Sequence, residues 1–365
     1  MAQPLLQFND RGIYCARGDF YIDPWKPVDF AVITHAHSDH ARWGHHHYLA
    51  HHLSAAVLRY RLGSISLETA AYGQSIYRNG IQISFHPSGH IIGSAQVRVE
   101  YKGAVWVVSG DYKTEDDGLS TPFEPLKCHT FISECTFGLP IYKWPSASDV
   151  HDDINRWWKR NAAEGRTSFI AGYSLGKAQR ILKHLDSSIG NIFVHGTIDN
   201  TNKALQSDGI MLPAALRLAP DTPREHLQRA VVVCPPSALG SPWMRRNQPF
   251  SFGYCSGWMA VRGAKRRIAV DRGFVLSDHA DWRGLIEAIK ATDCECVCLT
   301  HGYTASFARY LNEVGLNAHE AHTSYGEEDD SPPSLPSAPL SVAREADPGP
   351  GAEDETPSPR KGGVQ

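Results

Sequence analysis

The sequence predicts an α/β protein with two regions of different architecture. Strand-like segments crowd the first third of the 365-residue chain, and strands alternate with helices through its middle. The end differs in kind: Gly326–Gln365 holds eight of the 23 prolines, nine acidic residues and three basic ones. That composition predicts a disordered tail over 326–365.

Val28–Thr34 is a mostly apolar strand that runs straight into a histidine-rich loop. Ile81–Phe85, Ala95–Tyr101 and Ala104–Val108 read as successive strands joined by glycine-containing turns. Phe131–Ser133 is a short strand, and Asp149–Ala163 has the spacing of a helix. Thr167–Gly172 is a strand that breaks at Tyr173-Ser174-Leu175-Gly176, with a helix over Lys177–Leu185. Strands follow at Asn191–His195, Ala230–Cys234, Arg267–Val270 and Cys296–Thr300, then a helix near Ser306–Val314. There is no internal repeat.

Composition narrows the function. A hydrophobic share of 42% suits a globular core, and no apolar run approaches the roughly 18 residues of a membrane span. Met1-Ala2-Gln3-Pro4 does not open a signal peptide, so the expected location is the cytoplasm. The whole chain carries −3; without the acidic tail the first 325 residues come to about +3, which permits a polyanionic substrate without requiring one. The eight cysteines contain no C-x-x-C pair and resemble no disulfide framework. Cys294, Cys296 and Cys298 alternate and read as small residues on one face of a core strand.

The nineteen histidines are the anomaly; they cluster at 35–52 and recur at His86, His90, His279 and His301. Thr34-His35-Ala36-His37-Ser38-Asp39-His40 follows a strand, where side chains can converge on one point. His35 and His37 can reach one ion while Asp39 and His40 turn to a second, a donor set that suits zinc, with manganese as the alternative. His45, His46, His47, His51 and His52 follow on what reads as the start of a helix, in surface or packing roles. Gly172-x-x-x-Gly176-Lys177 is not a phosphate-binding loop: it is one residue short, and Ala178 stands where a hydroxyl is needed.

The order H-x-H-x-D-H resembles the metal signature of the metallo-β-lactamase superfamily. The resemblance continues at His90, in Ser88-Gly89-His90, at Asp111, in Ser109-Gly110-Asp111, and at His301, in Leu299-Thr300-His301-Gly302. It implies two divalent ions: His35, His37 and His90 on one, Asp39, His40 and His301 on the other, and Asp111 shared. Asp29 matches the buried aspartate that holds the ligand loop from behind.

The middle of the chain resembles the β-CASP nucleases within that superfamily. Ile132-Ser133-Glu134-Cys135-Thr136 resembles their motif A, Ser277-Asp278-His279-Ala280-Asp281 their motif B, and the segment around His301 their motif C. The implied fold is an αββα sandwich at 1–139 and 266–325 with an α/β cap inserted at 140–265. The implied catalytic groups are His279 as general acid, Glu134 as its partner, and Asp39. Lys177 and Arg180 at a helix start, with the basic runs Arg245-Arg246 and Lys265-Arg266-Arg267 and the nearby Trp243 and Trp258, are the expected phosphate and base contacts.

Over residues 5–325 the pattern is similar to the bacterial DNA ligase-associated exonucleases. That implies DNA rather than RNA as substrate, exonucleolytic hydrolysis in repair, and a setting beside an ATP-dependent ligase and a helicase. A histidine in motif C is the state typical of RNA-processing members, so a ribonuclease is the first alternative. A small-molecule metallohydrolase, which needs no cap and no counterpart of His279, is the second.

Overall fold

The computed structural model describes residues 4–261 and 270–321. The tail, all but the last residue of the expected strand Arg267–Val270, and the candidate contacts Arg266 and Arg267 lie outside these residues.

Three sheets organise the described residues. The first takes its strands in chain order: β1 (Gln7–Phe8), β2 (Ile13–Cys15), β3 (Phe20–Ile22), β4 (Phe30–Ile33), β5 (His47–His51) and β6 (Leu67–Ala70). The second begins with β7 (Ile76–Arg78), β8 (Ile81–Pro87), β9 (Ala95–Tyr101), β10 (Ala104–Val108) and β11 (Thr130–Cys135). The third consists of β12 (Thr167–Ala171), β13 (Ile192–Val194), β14 (Leu216–Arg217), β15 (Val231–Cys234), β16 (Phe250–Cys255) and β17 (Arg272–Phe274). The chain then returns to the second sheet with β18 (Cys296–Gly302) and β19 (Ala318–Glu320). All pairings in the third sheet are parallel, in the order β14-β13-β15-β12-β16-β17. It is therefore a topological insertion between the adjacent parallel strands β11 and β18. β17 extends this sheet beyond residue 265.

The first two sheets pack face to face. Phe20, Ile22, Val32 and Leu49 of one meet Ile83, Phe85, Val97 and Ile132 of the other, all buried. The outer face of the first sheet is covered by α1 (Ala55–Leu62), through Val57 and Leu58 against Ala31, Ile33 and Tyr48. The helices α2 (Ala147–Ala163), α3 (Lys177–His184) and α4 (Gly196–Ser207) belong to the inserted region. The outer face of the second sheet is covered by α5 (Trp282–Thr292) and α6 (Thr304–Glu313), through Leu285, Ile289, Phe307 and Leu311. The body is thus layered helix–sheet–sheet–helix, a mixed α/β arrangement, and α2 and α3 bury Trp157, Trp158, Ile181 and Leu182 on the third sheet.

The residues after the ligand loop depart from expectation. His47–His51 forms β5, paired with β4 and β6, and the helix starts only at Ala55. Pairing with two strands overrides the local helical reading.

Candidate metal centre

The ligand loop, the β8–β9 loop and the end of β10 converge at one edge of the two-sheet body. The donor atoms of His35, His37, His90 and Asp111 lie within 4.8 Å of one another, and so do those of His35, Asp39 and His40. Asp111 Oδ2 is central: it sits 3.3 Å from His35 Nε2, 3.4 Å from His40 Nε2 and 3.7 Å from His90 Nε2. His301 enters from β18, its ring stacked 5.3 Å from that of His40. A bulge in the pairing of β11 and β18 aims it: Glu134 faces Thr300 and Cys135 faces Gly302, leaving His301 as the extra residue at φ +51°. Gly302, at φ +79°, is required because a Cβ there would overlap the Cys135 carbonyl.

Each loop imidazole has its outer nitrogen engaged, which fixes the nitrogen left facing the centre. Thr34 Oγ1 lies 3.0 Å from His35 Nδ1, and Asp23 Oδ2 lies 2.7 Å from His40 Nδ1. The Leu175 carbonyl accepts from His37 Nε2 at 3.1 Å, and the Asp278 carbonyl from His90 Nδ1 at 2.7 Å. Among the described residues, His35 Nε2 and Asp111 Oδ1 are buried without a hydrogen-bond partner.

Electrostatics fit the donors to cations. Burial pushes Asp111 up to about 7, against the pull of His40. Burial also pushes His35 well below and His301 down to about 3, with His40 adding to both. His40 moves the other way: burial opposes its charge, but Asp111, Asp39 and Asp23 outweigh it. A buried set of imidazoles around a carboxylate is a donor set that fits divalent cations.

Asp29 does not hold the loop. Its side chain is 85% exposed and pairs with the exposed His46 at 3.0 Å. The buried aspartate is Asp23, which follows β3 at φ +43°. It accepts from Thr34 N at 2.8 Å, Thr34 Oγ1 at 2.5 Å and His40 Nδ1. The physical reason is strand direction: Asp29 points outward before β4, whereas the β3 end abuts the base of the loop.

Glu134 and His279 meet from distant segments. His279 Nδ1 lies 2.8 Å from Glu134 Oε1, and both residues are buried. Glu134 also accepts from Tyr112 N, Thr136 N and Thr136 Oγ1. Burial opposes charge on its carboxyl, but the His279 imidazole and these donors hold it below the usual carboxylate range. An ionised Glu134 accepts from His279 Nδ1 and turns Nε2 away from the glutamate. The His279 ring packs 4.7 Å from that of His90.

The expected phosphate contacts are not brought there. Lys177 and Arg180 are 0% and 2% exposed. They face the buried Asp278 carboxylate at 3.7 and 3.8 Å, so a protein carboxylate takes the position expected for an anion. Arg245 and Arg246 are exposed. Arg246 lines a cavity of about 540 Å³ with Gly165 and Thr167, at the start of β12. Leu175, which touches His37, follows the other end of that strand.

No family model matches the chain. It is similar to a probable DNA ligase of Opitutus terrae, 30% identical over 355 residues, which are 96% of this chain and 33% of that protein. It is similar to an endoribonuclease of Saccharomyces cerevisiae, 27% identical over 122 residues, or 33% of this chain and 15% of the other. The chain thus spans about a third or less of the length of these curated relatives. A crystal structure of an Enterococcus faecalis protein of unknown function shares the fold, with a TM-score of 0.55 and 12% identity over 82% of this chain and 80% of that one. Among the described residues no helix is long and apolar enough to cross a membrane.

Proposed function

We propose that the chain is a metal-dependent nuclease of the metallo-β-lactamase superfamily, with the third sheet as a β-CASP-like cap, and that it hydrolyses phosphodiester bonds in DNA from strand ends. One observation carries the reading: the buried His279–Glu134 pair stands beside the His/Asp centre. A phosphodiester releases a strongly basic alkoxide that benefits from a proton, which a buried histidine oriented by a carboxylate beside the centre can supply, whereas a thioester's thiolate departs without one. The relative named as a DNA ligase, matched along nearly all of this chain, supports DNA as substrate beside a ligation activity.

His35, His37, His90 and Asp111 would hold one ion, and Asp39, His40, His301 and Asp111 the other. Bound divalent ions would supply charge stabilisation at the phosphate and a lowered pKa for water. Asp23, Thr34 and the Leu175 and Asp278 carbonyls orient the imidazoles. Glu134 holds His279 Nδ1, so that Nε2, once protonated, donates to the departing alkoxide.

A ribonuclease is the second reading, favoured by His301 in motif C and by the relative named as an endoribonuclease. End-labelled single-stranded DNA, duplex DNA and RNA, incubated with zinc- or manganese-loaded protein, separate the readings. Products shortened from one end on DNA support the proposal, and cleavage of RNA alone overturns it. His279→Ala should lower turnover by about 10²–10⁴-fold with both ions retained; loss of the ions would show His279 to be a ligand instead.

A further inference from the structure

The inserted sheet reaches the back of the metal histidines. Leu175, in the β12–α3 turn, accepts from His37 Nε2 at 3.1 Å. The same turn packs on the other side of His90: a Cβ on Gly176, at φ +92°, would overlap the Ile91 side chain and lie 3.6 Å from Asp278 Oδ2. The Asp278 carbonyl holds His90 Nδ1 at 2.7 Å, while its carboxylate lies 3.7 Å from Lys177 Nζ and 3.8 Å from Arg180 Nη1. Arg180 also donates to the Ser277 carbonyl at 2.6 Å and to Glu115 at 2.9 Å. Lys177, Arg180 and Asp278 are at most 3% exposed.

Such a buried cluster adds little net stability, because desolvating the charges offsets their attraction, but it tolerates few alternative registers. Here the register it fixes is that of α3 on the segment carrying Asp278, and so of the two carbonyls that hold His37 and His90. We propose that the Ser174–Gly176 turn, pinned by Lys177, Arg180 and Asp278, is a positioning element of the metal centre. Metal binding and docking of the inserted sheet are then one coupled equilibrium. The inference rests on the two-metal reading. Coupling is reciprocal: whatever affinity the docked turn gives the ion, the ion returns as docking free energy.

Two measurements test it. The first is zinc affinity by chelator competition on folded protein. Gly176→Ala, which displaces the turn, and Asp278→Asn, which removes the carboxylate charge facing Lys177 and Arg180 but keeps the backbone carbonyl, should each weaken binding of one of the two ions by about 10–100-fold. Gly165→Ala is the control: it bears the same left-handed strain at φ +68°, with nothing within 4 Å of the added Cβ, at the far end of β12. It should bind both ions as the wild type does. The second measurement needs no variant: amide exchange in the 172–180 segment of the wild-type protein should slow when zinc is added. Variants that fold and keep wild-type affinity for both ions, or exchange at 172–180 indifferent to zinc, overturn the proposal. If the variants do not fold, the exchange measurement decides. Wild-type protein that binds no divalent ion removes the two-metal reading itself, and this inference with it.

Discussion

Replacing Asp23 by alanine should destabilise the metal-free protein and weaken its hold on the ion bound by His40, while Asp29→Ala should do neither. Asp23 is 1% exposed and takes three hydrogen bonds from two residues. In the metal-free alanine variant His35 can take its other tautomer, which lets the Thr34 hydroxyl turn to Nδ1, 3.0 Å away. The Thr34 amide and the His40 Nδ1–H are left without acceptors. At about 1–3 kcal/mol per orphaned buried donor, the loss is on the order of 2–6 kcal/mol. The freed His40 ring adds a loss of about 10–100-fold in affinity for its ion. Asp29, 85% exposed in an ion pair with His46, should cost no more than about 0.5 kcal/mol. Urea unfolding of metal-free protein followed by circular dichroism measures the first quantity, and chelator competition the second. Asp23→Asn, which keeps one acceptor, should fall between alanine and wild type. Equal costs for Asp23→Ala and Asp29→Ala would refute the assignment of Asp23 as the residue behind the loop.

Burial holds His151 down to about 3, with the His184 ring stacked on it at 3.9 Å adding to the effect. Its folded pKa lies below that of the unfolded chain, so the unfolded state takes up the proton first and stability falls as pH drops from about 6.5 towards 3. His151→Gln should remove up to about 1.4 kcal/mol per pH unit from that slope; urea midpoints at pH 7, 6 and 5 measure it, and an unchanged slope contradicts the assignment. The double change Arg245→Ala with Arg246→Ala should alter kcat/KM on DNA by less than about two-fold, as for surface positions away from a site. A ten-fold loss that grows at low salt would instead put the strand at the β12 start.

Legibility in the sequence followed locality. The residues of the H-x-H-x-D-H run sit within six positions, so their convergence needs only one loop, and the structure brings them together. His90 and Asp111 come from two loops and His301 from β18, and only the motif resemblance linked them. Asp23 escapes a local reading because it follows β3 and not β4, the strand that enters the loop. Its signal was faint but physical: a carboxylate set in Phe20-Tyr21-Ile22-Asp23-Pro24-Trp25, among apolar neighbours. Lys177 and Arg180 looked like a free basic face because nothing local shows the Asp278 carboxylate a hundred residues on. Much of the first sheet escaped a periodicity reading because strands of two or three residues have no period to detect.

The nesting of the third sheet between β11 and β18 has a consequence for how the chain folds. Thr130 pairs with Cys296, so the strands that bring Glu134 and His301 together close a loop of more than 160 residues. Closing it as flexible chain costs about 4–5 kcal/mol of entropy, growing as 1.5RT times the logarithm of its length. If the inserted region folds first, its own ends are already near each other and the effective loop shrinks to roughly forty residues, which saves about 1.3 kcal/mol. The insertion then matures before the body it interrupts, and the last strand to seat is the one that delivers His301. Pulsed amide exchange during refolding should therefore protect β12 and β15 before β18; the reverse order would contradict this sequence of events.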